Sequence, residues 1–410
     1  MEKKMYTLKD FELSLELNAI ERAEAFQKYI DQLDSFGCKS YWIQSDSGIG
    51  AAMHIEPDNN VAAFVSNDYL GMSQNPETIE AGISALRKYG TGACAAPVIG
   101  GYLDIHKELE MNIAKFVGHE DALIFSSGFG ANAGLLRALL GKNDIAFTDA
   151  YIHVSALSGL LGTNVKSLPH NNLEYLEMAL KNESHKYKTK LVIIDGVYSQ
   201  GGDLAKLPEI ISICRKYNAM LMLDDAHGIG VFGANGRGTA EHFDCIGQVD
   251  IITGTFSKSF GCVGGFVAAS KKLIQYLRYY ADSNIFSAAI TPQVTASVLK
   301  ALELIQTRPE IRSKLWDNVN YLRNKFTELR IDTGASVSPI FPIMIGNNKK
   351  VYEIAKMLQE KGIFTNGIVY PAVRIKEPRL RVSVLASHTK EHMDRLINAL
   401  SEIDDTIGLK

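Results

Sequence analysis

A lysine set among hydroxyls is the residue of this chain best suited to covalent chemistry. Lys258 lies in Asp250-Ile251-Ile252-Thr253-Gly254-Thr255-Phe256-Ser257-Lys258-Ser259, an apolar run that breaks into a turn of small polar residues. At a strand exit near a pocket floor, desolvation lowers an amine's pKa, and a neutral amine is a nucleophile that forms Schiff bases. Thr255 and Ser257 bring hydroxyls that suit a phosphate. Alone, the same residues also suit a solvated turn. Upstream, Ala219-Met220-Leu221-Met222-Leu223-Asp224-Asp225-Ala226-His227-Gly228 is an apolar run that ends in two carboxylates and a histidine. Open α/β sheets gather ligands at the carboxyl ends of their strands, which would bring Asp224 and Lys258 together. An aldehyde-trapping amine and an acid for a ring nitrogen are what pyridoxal phosphate requires.

Further residues fit the same pocket. Ser126-Ser127-Gly128-Phe129-Gly130-Ala131-Asn132 follows a strand and opens a helix, so its backbone amides can approach a phosphate. His153 also lies shortly after a strand, where an imidazole can stack on a flat ring or serve structurally. His227 is placed to bond a phenolic oxygen on the cofactor. Ser199 and Asp203, in DGVYSQGGD, shape the cavity or cap their turn. Arg381, in an alternating apolar segment, offers a fork for a substrate carboxylate or a structural ion pair.

The elements that must position these residues read as α/β. Short apolar runs at 123–125, 145–147, 191–194, 220–223, 251–252 and 265–268 alternate with helical stretches. Runs without clean alternation are strands buried on both faces, hence a mostly parallel central sheet flanked by helices. Residues 1–65 read as an N-terminal helical segment and a small hairpin, 66–285 as the large cofactor-binding domain, and 286–410 as a smaller α+β domain. A net charge of −3 over 410 residues gives no electrostatic case for nucleic acid. The five cysteines are scattered, arguing against a zinc site or a disulfide framework and for a reducing cytoplasm. The N-terminus does not read as a signal peptide, and no stretch is long and apolar enough for a transmembrane helix.

The ordered runs SNDYLG, YGTG, DIHKELE, SSGFGAN, DGVYSQGGD, LDDAHGIGVFGANGRG, GTFSKS and RLRVSVLASHT together resemble the α-oxoamine synthase family of fold-type I pyridoxal phosphate enzymes, over roughly residues 40–405. The resemblance implies Lys258 as the amine that carries the cofactor and later removes the substrate Cα proton. It implies Asp224 as partner of the ring nitrogen, His227 as ligand of the ring oxygen and His153 as the stacking histidine. Phosphate contacts would come from Gly128, Phe129, Thr255 and Ser257, with Ser199 and Thr291 also at the cofactor. Arg381 and Asn67 would meet the substrate. Asn67 and Thr291 lie in segments that reach across a homodimer with shared active sites in relatives.

The family reaction is a decarboxylative Claisen condensation of an amino acid with an acyl thioester, giving an α-amino ketone. Within the family, SPIFPIMIGNN, GIFTNGIVYPAV and FSAAITP look most like bacterial serine palmitoyltransferases, which implies serine and a long-chain acyl-CoA. Two runs depart from that pattern. ACAAPVIGGY stands where those enzymes typically carry Ser-Arg and Asn-Gly-Thr, and DDAHG is the form of 8-amino-7-oxononanoate synthases. Glycine or alanine as substrate, a carrier-protein-bound donor, an aminotransferase and a non-catalytic subunit are the alternative readings.

Overall fold

The computed structural model describes residues 6–12, 16–35, 41–55 and 58–409, without the side chains of Asp58, Asn59 and Ser184. It groups into two compact units. The larger holds residues 67–199 and 203–315, the smaller residues 1–66, 200–202 and 316–410.

The large unit is built on a seven-stranded sheet in the spatial order Asp121–Phe125, Gly265–Ala269, Ile251–Thr255, Met220–Asp224, Lys190–Asp195, Ile145–Asp149, Asn164–Leu168. Only Gly265–Ala269 runs antiparallel to its neighbours. The expected mostly parallel sheet is therefore present, and Ile145–Asp149, Ile251–Thr255 and Gly265–Ala269 are buried at every position, as strands covered on both faces are. Asn164–Leu168 escaped the sequence reading because it is an edge strand of mixed sequence, NVKSL, with Val165 and Ser167 exposed.

The helix Gly128–Leu139 starts directly above this sheet. Ser127 caps it, its Oγ accepting from the Gly130 N–H at 2.9 Å. Its apolar face, with Leu135 and Leu136 fully buried, packs into a core with Leu123, Phe125, Met222 and Val267. Each such side chain contributes about 1.5–3 kcal/mol of burial free energy, so the start of the helix is held firmly over the strand ends. Helix Pro292–Thr307 packs along Pro76–Tyr89 at close range. A Cβ on Gly82 would come within 2.7 Å of Ser297 Oγ, which bonds Thr78 O at 2.8 Å. That contact groups residues 286–315 with the large unit.

In the small unit, Ala52–Ile55 pairs antiparallel with Asp58–Ala63, and Ile363–Phe364 joins them in parallel. A small hairpin is thus present within residues 1–65, over 52–63, and residues 56–57 lie outside the described residues. A second sheet runs Ile340–Met344, Arg379–Ser383, Asn366–Ile368, all antiparallel. His388 ties it to the first: Nε2 bonds Ala63 O at 3.0 Å, Nδ1 accepts from Leu385 N–H at 2.8 Å, and the ring stacks on Phe64. Among the described residues, no helix is long and apolar enough to cross a membrane.

Candidate active site

Strand direction places the chemistry. The parallel strands end at Asp149, Asp195, Asp224 and Thr255, and a cavity of about 280 Å³ opens over the last three. Lys258 lines it one turn beyond Thr255, together with His153, Asp224 and His227. Residues from four separate stretches of sequence therefore meet in one place.

One end of the cavity suits a phosphate. Thr255 Oγ1 and Ser257 Oγ lie 2.8 Å apart, beside Ser127, Gly128 and Phe129 at the helix start. Gly128 has no room for a side chain: a Cβ would sit 2.9 Å from both Cβ and Oγ1 of Thr255. The missing side chain lets the helix N-terminus, the positive end of its dipole, come down onto the hydroxyls.

At the other end stand the acid and the imidazoles. Asp224 is buried, and its Oδ1 accepts the Ala226 N–H at 3.1 Å. Strand alternation turns the neighbouring Asp225 the opposite way. Fully buried, Asp225 accepts from the Thr239 N–H at 2.7 Å and Oγ1 at 2.8 Å, and burial lifts its carboxyl to about 7. Of the two acids in DDAHG, the first faces the cavity and the second fastens the following loop.

Burial pushes His153 below the ordinary imidazole value, against the pull of the Asp224 carboxylate and with the aid of Lys258. A neutral imidazole presents a flat, weakly polar face. His227 Nδ1 lies 2.7 Å from the hydroxyl of the fully buried Tyr69, which in turn reaches Asn67 Oδ1 at 3.3 Å. Asn67, singled out in the sequence, is thus linked to His227 within its own chain.

Ser199 lines the cavity, whereas Asp203 bonds His170 Nε2 at 2.8 Å. Thr291 is the N-cap residue of Pro292–Thr307, and its carbonyl accepts from Thr295 Oγ1 at 2.9 Å; it is not among the residues lining this cavity. Arg381 belongs to the small unit. Its strand pairs it with Pro342 and Asn366, and its Nη1 donates to Ser383 Oγ at 2.6 Å. Asn132, Ser155, Asp195 and Tyr69 complete the surroundings, and the sequence reading gave none of them a role. Two signals were available: Asn132 sits one helical turn after Gly128, and Tyr69 lies inside SNDYLG.

This donor set fits pyridoxal phosphate. It pairs an amine and a buried acid with a helix-start cradle that a single Cβ at residue 128 would fill.

Comparison with known proteins agrees. The model of the family described as aminotransferase class I and II matches residues 59–400. A serine palmitoyltransferase of Sphingobacterium spiritivorum is 40% identical over 376 residues, covering 91% of this chain and 94% of that protein. An 8-amino-7-oxononanoate synthase of Thermoanaerobacter pseudethanolicus is 40% identical over 397 residues, covering 96% and 100%. A solved structure of SPT with PLP internal aldimine superposes with a TM-score of 0.92 at 28% identity, covering 96% of this chain and 100% of that one. The matched span contains every residue of the cavity, and the chain belongs to the α-oxoamine synthases, pyridoxal phosphate-dependent acyltransferases within the class I and II aminotransferase family.

Proposed function

We propose that this protein condenses L-serine with a long-chain acyl-CoA, releasing coenzyme A and CO₂ and leaving an α-amino ketone. The observation that carries the reaction class is the convergence of Lys258, Asp224, His153 and His227 on one cavity beside a phosphate cradle, and likeness to serine palmitoyltransferases supports serine and a long acyl chain. Bound pyridoxal phosphate supplies a ring that accepts electron density when the amino acid loses its Cα proton.

The chain's own groups do the rest. Ser127, Gly128, Phe129, Thr255 and Ser257 would hold the phosphate, with Ser199 also at the cofactor. Asp224 would keep a proton on the ring nitrogen. His153 would supply a flat face for the ring, and His227, oriented by Tyr69, would bond its oxygen. Lys258 Nζ takes the Cα proton. Arg381 grips the substrate carboxylate in two parallel hydrogen bonds. A bond then forms between Cα and the thioester carbonyl carbon, the C–S bond breaks, and the carboxylate departs as CO₂. Two copies form a homodimer in the cytoplasm, with Thr291 contributed across the shared sites and Asn67 serving the site of its own chain. The product is of the kind that opens sphingolipid synthesis.

The run DDAHG, together with the oxononanoate synthase relative, favours a second reading in which alanine replaces serine and the acyl group is held by coenzyme A or a carrier protein. Thiol release on mixing amino acid and acyl-CoA tests the reaction class. The expected products are free coenzyme A and a ketone lighter by CO₂. Amino transfer to a 2-oxo acid with no thiol released would overturn it.

A further inference from the structure

Asp195 and Asp224 end neighbouring strands with their Cα positions in register, and both side chains line the cavity. Two carboxylates in such a site ionise together only at high cost, so fixed donors decide which one carries the charge. Asp224 has those donors: Asn132 Nδ2 to Oδ2 at 2.6 Å, and the Ala226 N–H to Oδ1 at 3.1 Å. Asp195 is met by the His153 N–H, at 3.4 Å.

Asn132 is 3% exposed, and its amide has a second hydrogen to place. That hydrogen goes to Ser155 Oγ at 2.9 Å, and Ser155 Oγ lies 2.7 Å from His153 Nδ1. The Ser155 N–H also donates to Nδ1, at the longer distance of 3.3 Å, which marks that nitrogen as an acceptor and leaves the hydroxyl at 2.7 Å as its main donor. All the donors therefore run outward from one amide, to the acid on one side and the imidazole on the other. Turning the amide over would set its carbonyl oxygen against the carboxylate, which is tolerable only if Asp224 were protonated.

We infer that Asn132 is a positioning residue that assigns the negative charge of the Asp195–Asp224 pair to Asp224 and, through Ser155, keeps His153 Nδ1 an acceptor. Burial and then the Asp224 charge push Asp195 well above the usual carboxyl range, in keeping with a neutral Asp195. Lys258, Asp224 and Asp195 are the ionisable groups that face His153. The inference rests on placing Asp224 at the cofactor ring nitrogen.

The test follows cofactor retention when full-length holoenzyme is diluted, read by visible absorbance. Asp224→Asn should weaken retention. Asn132→Leu, close in size but without donors, should weaken it about tenfold or more, as expected for a lost hydrogen bond to a charged group. The double variant should lose no more than Asp224→Asn alone, because both act through one charge. Additive losses, or full retention in Asn132→Leu, overturn the inference and leave the placing of Asp224 intact. Full retention in Asp224→Asn removes both. The imidazole arm has its own readout, the ¹⁵N signal of His153 Nδ1. Ser155→Ala should move it toward the protonated position at neutral pH, and Ser155→Thr should restore it. A signal unmoved by Ser155→Ala overturns that arm.

Discussion

Replacing His170 by asparagine should flatten the alkaline fall in stability. The imidazole bridges two acids, with Nδ1 2.9 Å from Asp149 Oδ1 and Nε2 2.8 Å from Asp203 Oδ2. Burial opposes its protonation, but the hydrogen bonds and charges of the two carboxylates outweigh that and raise it to about 9. Asp149 lies just before the turn that leads to His153, and Asp203 ends the loop that carries Ser199, so this cation staples two walls of the cavity together. The folded chain holds the proton more tightly than the unfolded one. The contribution is therefore complete below about pH 6.5 and lost as pH rises through about 9. That gap corresponds to about 3 kcal/mol, reduced to about 2 kcal/mol by solvent screening at the open edge of the ring. The assay is equilibrium denaturation of holoenzyme at several values between about pH 6 and about pH 9.5. The unsubstituted chain should lose about 2 kcal/mol more across that window than His170→Asn does. Parallel stability curves for the two chains would refute the argument, since the acids would then owe nothing to a proton on His170.

Three substitutions probe the cavity itself. Lys258→Ala should abolish turnover by about a thousandfold or more, and borohydride should no longer fix pyridoxal phosphate covalently to the chain; covalent fixation in the variant would dismiss Lys258. Gly128→Ala puts a methyl 2.9 Å from Thr255, so the helix start must lift, and cofactor retention measured by dialysis should fall about tenfold with little change in Tm. Tyr69→Phe removes the 2.7 Å bond to His227, and kcat should drop about tenfold while KM for the amino acid moves less; an unchanged kcat would show that His227 needs no support.

What the sequence revealed follows from what burial writes into it. Strands such as Ile145–Asp149 and Ile251–Thr255, buried on both faces, leave continuous apolar runs that are easily read. Strand direction leaves no such mark: nothing in Gly265–Ala269 says that it runs opposite to its neighbours. The site divides in the same way. Lys258, Asp224, His153 and His227 stood out as candidates, but each alone also suited a structural role, and their roles came from the ordered motifs around them. Asn132 did not stand out, because its partner Asp224 is 92 residues away and the pairing exists only once helix and sheet have packed. Asp225 could have been read correctly from alternation alone, which turns adjacent strand residues to opposite faces.

The choice between serine and alanine lies outside the residues discussed so far, because acid, lysine and imidazoles act on atoms that both amino acids share. Near-equal likeness to two kinds of relative supports both readings alike and does not choose between them. Selection must come from contacts to the side chain, and the hydroxyl makes that contest asymmetric. A site built to hydrogen-bond serine leaves buried polar groups unpaired when alanine binds, whereas an apolar site built for alanine rejects the added hydroxyl only weakly. The run ACAAPVIGGY, where the chain departs from the serine palmitoyltransferase pattern, exposes Val98 and Ile99. Its shape is tightly fixed, since a Cβ on Gly101 would come within 2.0 Å of Ala95 O. A spectral titration of the holoenzyme with serine, alanine, glycine and threonine therefore has an interpretable scale. Serine specificity requires a preference over alanine of about a hundredfold or more. A ratio near one, or a lower half-saturating concentration for alanine or glycine, would mean that no group in this chain is built to receive the serine hydroxyl, and the alanine or glycine reading would replace the serine one.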